Sequence, residues 1–274
     1  MKKSNKSIIV GAALLCINVS AQAGPIAFSV DTINDQLYTI DLMTGFSTSI
    51  GGVGDVGFSD IEGLSFQPGT GVLFGLDDDS DMLVTINTTT GVGTAVGSLG
   101  TDFSDAGLAF ASNGSLYGGT DLGSDDGFYS IDPMTGTASL ISGAFTSDPH
   151  ALAFYNDVMY GIRDGGDELI SIDLMSGLAT IIGDTGINTD EDGFIIDSSG
   201  VGYLIQDDVG GGIYTVDLTS GVASFQASYS CTTCKFESAA LMTSVPEPGS
   251  LAMLGLGLAG IGLARRKKRR STQA

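Results

Sequence analysis

The chain has no tryptophan, one histidine and three cysteines in 274 residues. With His150 as the sole imidazole, no Ser–His–Asp constellation stands out, although serines and threonines are many. Three cysteines cannot complete a zinc site made of four thiolates. Basic side chains are scarce where they would matter. Of 11, Lys2, Lys3 and Lys6 open the chain and Arg265, Arg266, Lys267, Lys268, Arg269 and Arg270 close it. Only Arg163 and Lys235 lie between. All 32 acidic residues except Glu247 fall in that same middle stretch. Such a surface repels nucleic acid and anionic membranes, attracts cations and keeps an exported domain solvated. Phosphate loops and long amphipathic helices are also missing from the middle of the chain.

What is present is glycine, 41 of them, and short alternating strands. One nine-residue phrase recurs five times: LYTIDLMTG (37–45), LVTINTTTG (83–91), FYSIDPMTG (128–136), LISIDLMSG (169–177) and IYTVDLTSG (213–221). Each reads as a strand running into a tight turn. Asp41, Asn87, Asp132, Asp173 and Asp217 can accept hydrogen bonds from the turn's own N–H groups. The closing glycines supply positive φ. Hairpin chemistry accounts for every residue type, so these acids are not read as five metal sites. Their spacing is 46, 45, 41 and 44 residues, the period of propeller blades.

Each repeat parses into four strands. An aromatic residue (Phe28, Phe74, Tyr117, Tyr160, Tyr203) marks the strand before the phrase. Further upstream lies an inner strand: IEGLSF (61–66), DAGLAF (105–110), PHALAF (149–154) or EDGFII (191–196). The first repeat lacks one. Its counterpart stands at the other end, FESAAL (236–241), at the distance from Gly221 where a further inner strand would begin. The expected fold is therefore all-β, a five-bladed β-propeller of four-stranded antiparallel blades. Its C-terminal strand completes the first blade and removes open sheet edges.

The two ends read as addresses. Residues 1–23 have a basic start, an apolar run at 8–19 and Ala21-Gln22-Ala23, a secretory signal with cleavage expected between Ala23 and Gly24. Cys16 lies within that run. The propeller is then expected over 24–243 and a tail over 244–274. In the tail, Val245-Pro246-Glu247-Pro248-Gly249-Ser250 precedes an apolar stretch (251–264), expected as a short hydrophobic helix, and a basic cluster (265–270). This order resembles the PEP-CTERM sorting signal of Gram-negative bacteria, with Pro246, Glu247 and Pro248 as its motif. The resemblance implies a tail held transiently in the inner membrane and cut by an exosortase. It also implies an exported protein associated with extracellular polysaccharide and biofilm. Fourteen apolar residues fall short of the ~20 that span a bilayer core comfortably, which suits a transient anchor. Gly255-Leu256-Gly257-Leu258-Ala259-Gly260 fits G-x-G-x-x-G, but no strand precedes it, so no dinucleotide site is expected.

Loops between second and third strands, and loops from blade to blade, emerge on one face and are both acidic. The inner strands start there. Aligned on their Gly/Ala–Leu step, their rim residues include Glu62, His150, Asp192 and Glu237, with Asp105 beside Ala106. These five are the candidate metal or ligand site, with calcium the expected ion if one binds, because hard cations prefer oxygen donors. Asp77–Asp81 begins like an EF-hand loop, yet Met82 and Thr88 stand where Gly and the bidentate Glu belong. Cys231 and Cys234 are expected as a disulfide, as befits an exported chain. Two functions follow: a non-catalytic propeller that binds or scaffolds the matrix, polysaccharide or cations, through its acidic face, or a divalent-metal-dependent hydrolase of lactonase type using the rim residues.

Overall fold

The computed structural model describes residues 24–120, 127–142, 149–163, 166–189 and 193–242. The signal segment, the sorting tail with its apolar run, and Asp192 lie outside them. Twenty strands form five four-stranded antiparallel sheets. Blade 1 holds β1 (Ile26–Asp31), β2 (Gln36–Asp41) and β3 (Ser47–Ile50). Blade 2 holds β4 (Ile61–Phe66), β5 (Leu73–Asp77), β6 (Met82–Ile86) and β7 (Gly93–Ser98). Blade 3 holds β8 (Gly107–Phe110), β9 (Leu116–Thr120), β10 (Gly127–Ile131) and β11 (Ala138–Ser142). Blade 4 holds β12 (Pro149–Tyr155), β13 (Val158–Arg163), β14 (Glu168–Ile172) and β15 (Ala179–Asp184). Blade 5 holds β16 (Gly193–Ile196), β17 (Gly202–Ile205), β18 (Gly212–Val216) and β19 (Ala223–Ser228). The last strand, β20 (Ala240–Leu241), pairs with β1 and gives blade 1 its fourth member. The inner strands β20, β4, β8, β12 and β16 touch in that cyclic order.

The repeated phrase makes the turn its residues dictate. Asp41 Oδ1 accepts from the N–H of Met43 and of Thr44, both at 3.0 Å. Asn87, Asp132, Asp173 and Asp217 likewise accept from the N–H two residues on in their blades. Hydrogen bonds from Ser176 and Thr219 hold the Asp173 and Asp217 carboxyls below their ordinary range. Gly45 closes the first turn at φ 71°.

The inner and second strands are buried at successive residues, as in β5, β8, β16 and β17, because each sheet covers both faces against its neighbours. The core is five wedges, one per seam between blades. Phe28 meets Phe66 of the next blade edge-on at 5.3 Å, and Phe74 meets Phe110 in the same way at 5.3 Å. Fourth strands such as β3 and β15 carry the exposed residues.

The closing strand is shorter than the six residues expected. Backbone pairing holds at Ala27↔Leu241 and Phe28↔Ala240, then only at an isolated bridge, Asp31↔Phe236. Between them Ser238 interposes side-chain bonds. Ser29 Oγ donates to the Ser238 carbonyl at 2.5 Å, and Val30 N–H donates to Ser238 Oγ at 3.4 Å. Phe236 is fully buried between Tyr38 and Tyr229. Cys231 and Cys234 form a disulfide just before it, with Cα atoms 5.6 Å apart.

Candidate functional site: the two ends of the axis

At the face where the inner strands begin, many acids serve the backbone. Asp77, buried at the end of β5, accepts from the Asp60 N–H at 3.2 Å. Asp31, in the matching place on β1, accepts from the Lys235 N–H at 3.0 Å. In blade 3 the place belongs to Thr120, whose hydroxyl accepts from the Ser104 N–H at 2.9 Å. A second set sits at positive φ. Asp81 (φ 50°) accepts from the Phe103 N–H at 3.0 Å, and Asp167 (φ 55°) from the Thr189 N–H at 2.8 Å. The first set ties the end of a blade's second strand to the loop that enters the same blade, and the second ties a second-to-third loop to the loop that leaves it. In these contacts the side chains serve the fold.

Several carboxylates, Asp81 among them, crowd together between blades 2 and 3. Asp60, Glu62 and Asp78 each bring an oxygen within 4.8 Å of the others, and Asp78, Asp81 and Asp102 form a second such group. Two oxygens on one calcium ion, at 2.3–2.6 Å each, can lie about that far apart, so either group fits a hard cation. Glu62 is buried, and burial with the Asp78 charge pushes its carboxyl up to about 10, against a 2.7 Å hydrogen bond from the Ala106 N–H. Asp78, half-buried, is pushed up to about 7 by burial and by Asp60 and Asp105.

Of the rim residues expected from sequence, Glu62, His150 and Glu237 are all buried beside the axis. Asp105 contributes to the field on Glu62. Glu237 pairs with Lys235, and burial raises its carboxyl despite that partner. Among the described residues, the groups close enough to share a cation contain Glu62 but not Asp105, His150 or Glu237.

Below this rim the axis is pinched. Gly63, Gly107 and Gly193 let adjacent inner strands approach so closely that a Cβ would lie 2.7 Å from Leu108 Cβ, 2.9 Å from the Leu152 nitrogen and 2.7 Å from the Ser238 carbonyl carbon. The void at the pinch holds only about 10 Å³. Beyond it the axis opens onto the opposite face, that of the Asp/Asn turns, as a funnel of about 480 Å³. Phe66, Phe110, Phe154 and Tyr155 stand on its wall, with Ser65, Ser112, Asn156 and Asp157 nearer the mouth and Leu241 on the rim. Sequence reasoning passed over this funnel. Its signal was there: the inner strands GLSF, GLAF and ALAF, three of the five, each end in phenylalanine.

The chain leaves the fold at this same face, because Leu241 pairs with Ala27 near the start of β1. Residues 244–270 match the family model described as the PEP-CTERM protein-sorting motif. The chain carries a PEP-CTERM sorting signal. It is exported, anchored at the membrane by that signal, processed by exosortase and then localised to the surface. No curated protein matches the chain.

Proposed function

We propose that the mature PEP-CTERM propeller is a non-catalytic binding module of the extracellular matrix, with exopolysaccharide as its ligand. The funnel on the turn face carries this reading. Sugar rings bind where aromatic faces cover their C–H surfaces and hydroxyl, amide and carboxylate groups meet their hydroxyls. Phe66, Phe154 and Tyr155 with Ser112, Asn156 and Asp157 supply that combination in one concavity. The site lies on a rigid scaffold, with Asn156 and Asp157 fixed in a tight turn at φ 52° and 64°.

The reading is tested by affinity electrophoresis of the exported protein in gels containing matrix polysaccharide of the producing strain. Tyr155→Ala and Asp157→Asn should each weaken retardation, the first about tenfold if one stacking contact of about 1.4 kcal/mol is lost. Retardation unchanged in both variants would remove the funnel as the site.

A second role has its own support on the acidic face. The Asp60–Glu62–Asp78 and Asp78–Asp81–Asp102 groups suit calcium bound between blades 2 and 3. That arrangement favours a structural ion over a metal-dependent hydrolase. Such a hydrolase would need Asp105, His150 and Glu237 to converge with Glu62.

A further inference from the structure

We infer that the turn face is the membrane-facing surface of the anchored precursor, where apolar side chains on its turns rest against lipid. This rests on the sorting signal and the fold, and is independent of what the funnel binds.

The exit point of the chain decides which face is near the bilayer. β20 ends at Leu241 on the turn face, and only residues 242–250 separate it from the apolar run that begins at Leu251. Fully extended, ten residue steps reach about 35 Å at most. The acidic face lies a strand length further away, roughly 20 Å for the six residues of β4. That added distance is more than two Debye lengths at physiological salt, about 8 Å each. The carboxylates between blades 2 and 3 are thereby kept out of the field of anionic headgroups. The opposite orientation would press them onto it.

The turn face also carries exposed apolar side chains on its turns. Met134 and Met175, at the tips of their turns, are 86% and 93% exposed. Phe46 and Leu178, each just after a turn glycine, are 65% and 61% exposed. The acids of these turns, Asp132 and Asp173, are exposed as well, but each accepts N–H bonds of its own turn, as Asp173 does from Met175 at 3.1 Å, so the contact is carried by the Met, Phe and Leu side chains. Unbranched, polarizable methionines adapt to irregular apolar surfaces. Side chains of this kind, spread over several blade-edge turns rather than gathered in one patch, suit a flat and fluid partner.

The experiment uses the full precursor reconstituted in vesicles of phosphatidylethanolamine and phosphatidylglycerol, with a quencher on the lipid headgroup. A fluorophore is attached at Met175→Cys on the turn face or at Asp79→Cys on the acidic face. Both positions are exposed. Quenching should be several-fold stronger at 175 than at 79. Adding Met134→Ser and Leu178→Ser, with circular dichroism confirming an intact fold, should bring the signal at 175 back towards the level at 79. Equal quenching at the two positions, or more at 79, would overturn the orientation. Quenching at 175 that is unchanged in the serine variant would overturn the lipid contact. Quenching that appears only after exosortase is co-reconstituted would also overturn it, assigning the face to the enzyme.

Discussion

Replacing Glu62 with glutamine should flatten the pH dependence of the propeller's stability. Glu62 is buried where the axis narrows, and burial together with Asp78 raises its carboxyl from 4.5 to about 10. The folded chain therefore keeps a proton that the unfolded chain gives up. A group whose folded value is raised in this way costs stability as pH climbs above its unfolded value, and the loss continues up to its folded value. Between pH 5 and 8 the difference approaches one proton, about 1.4 kcal/mol per pH unit and about 4 kcal/mol in all. Unfolding entropy near 2 cal/mol/K per residue, over roughly 220 residues, converts that to a fall of about 9 °C in melting temperature. Asp78, half-buried and screened by solvent, and Glu237, paired with Lys235, titrate in the same window, but both are common to the two proteins. Glutamine keeps a carbonyl oxygen for the Ala106 N–H. Differential scanning calorimetry at pH 5, 6.5 and 8 in EDTA should show the wild type melting progressively lower, with Glu62→Gln falling clearly less steeply over the same range. Calcium added at pH 8 should raise the wild-type melt more than that of the variant, since a cation stabilises the ionised carboxylate. Parallel slopes in EDTA would refute the placement of Glu62 as a buried, protonated acid.

The ring closure gives two further expectations. Phe236→Ala empties the space between Tyr38 and Tyr229, and should cost about 3–5 kcal/mol, read as a fall in the urea midpoint without a change of slope. Cys231→Ser with Cys234→Ser opens a four-residue loop and should cost about 2 kcal/mol. Reducing agent should then lower the melting temperature of the wild type and leave that of the double variant unmoved.

Much of the architecture was legible because the repeat encodes its own geometry. The phrase ending in D-x-x-T/S-G states a strand, an Asx-type turn and a positive-φ glycine, and Asp41 with Gly45 forms that turn. Spacing placed the closing strand against the sheet that holds Phe28, where Ala240 now pairs with it. The site was less legible. Asp77 and Asp78 are neighbours in an unbroken acidic run, yet Asp77 is buried against a loop N–H while Asp78 joins the carboxylate group. Alternation along a strand sends consecutive side chains to opposite sides, but which side meets a loop of the next blade depends on how the blades pack.

By itself the sequence determined the repeat, the turns, the cyclic closure and the sorting address, because each is written in local residue types at fixed spacing. Only the tertiary structure decided which acids serve as caps and which crowd together. It also decided that the axis is shut by glycine-mediated contact near Glu62 and open as an aromatic funnel at the other end. Those outcomes depend on distances between strands some forty residues apart, and such distances are set by how closely five wedges close around one axis.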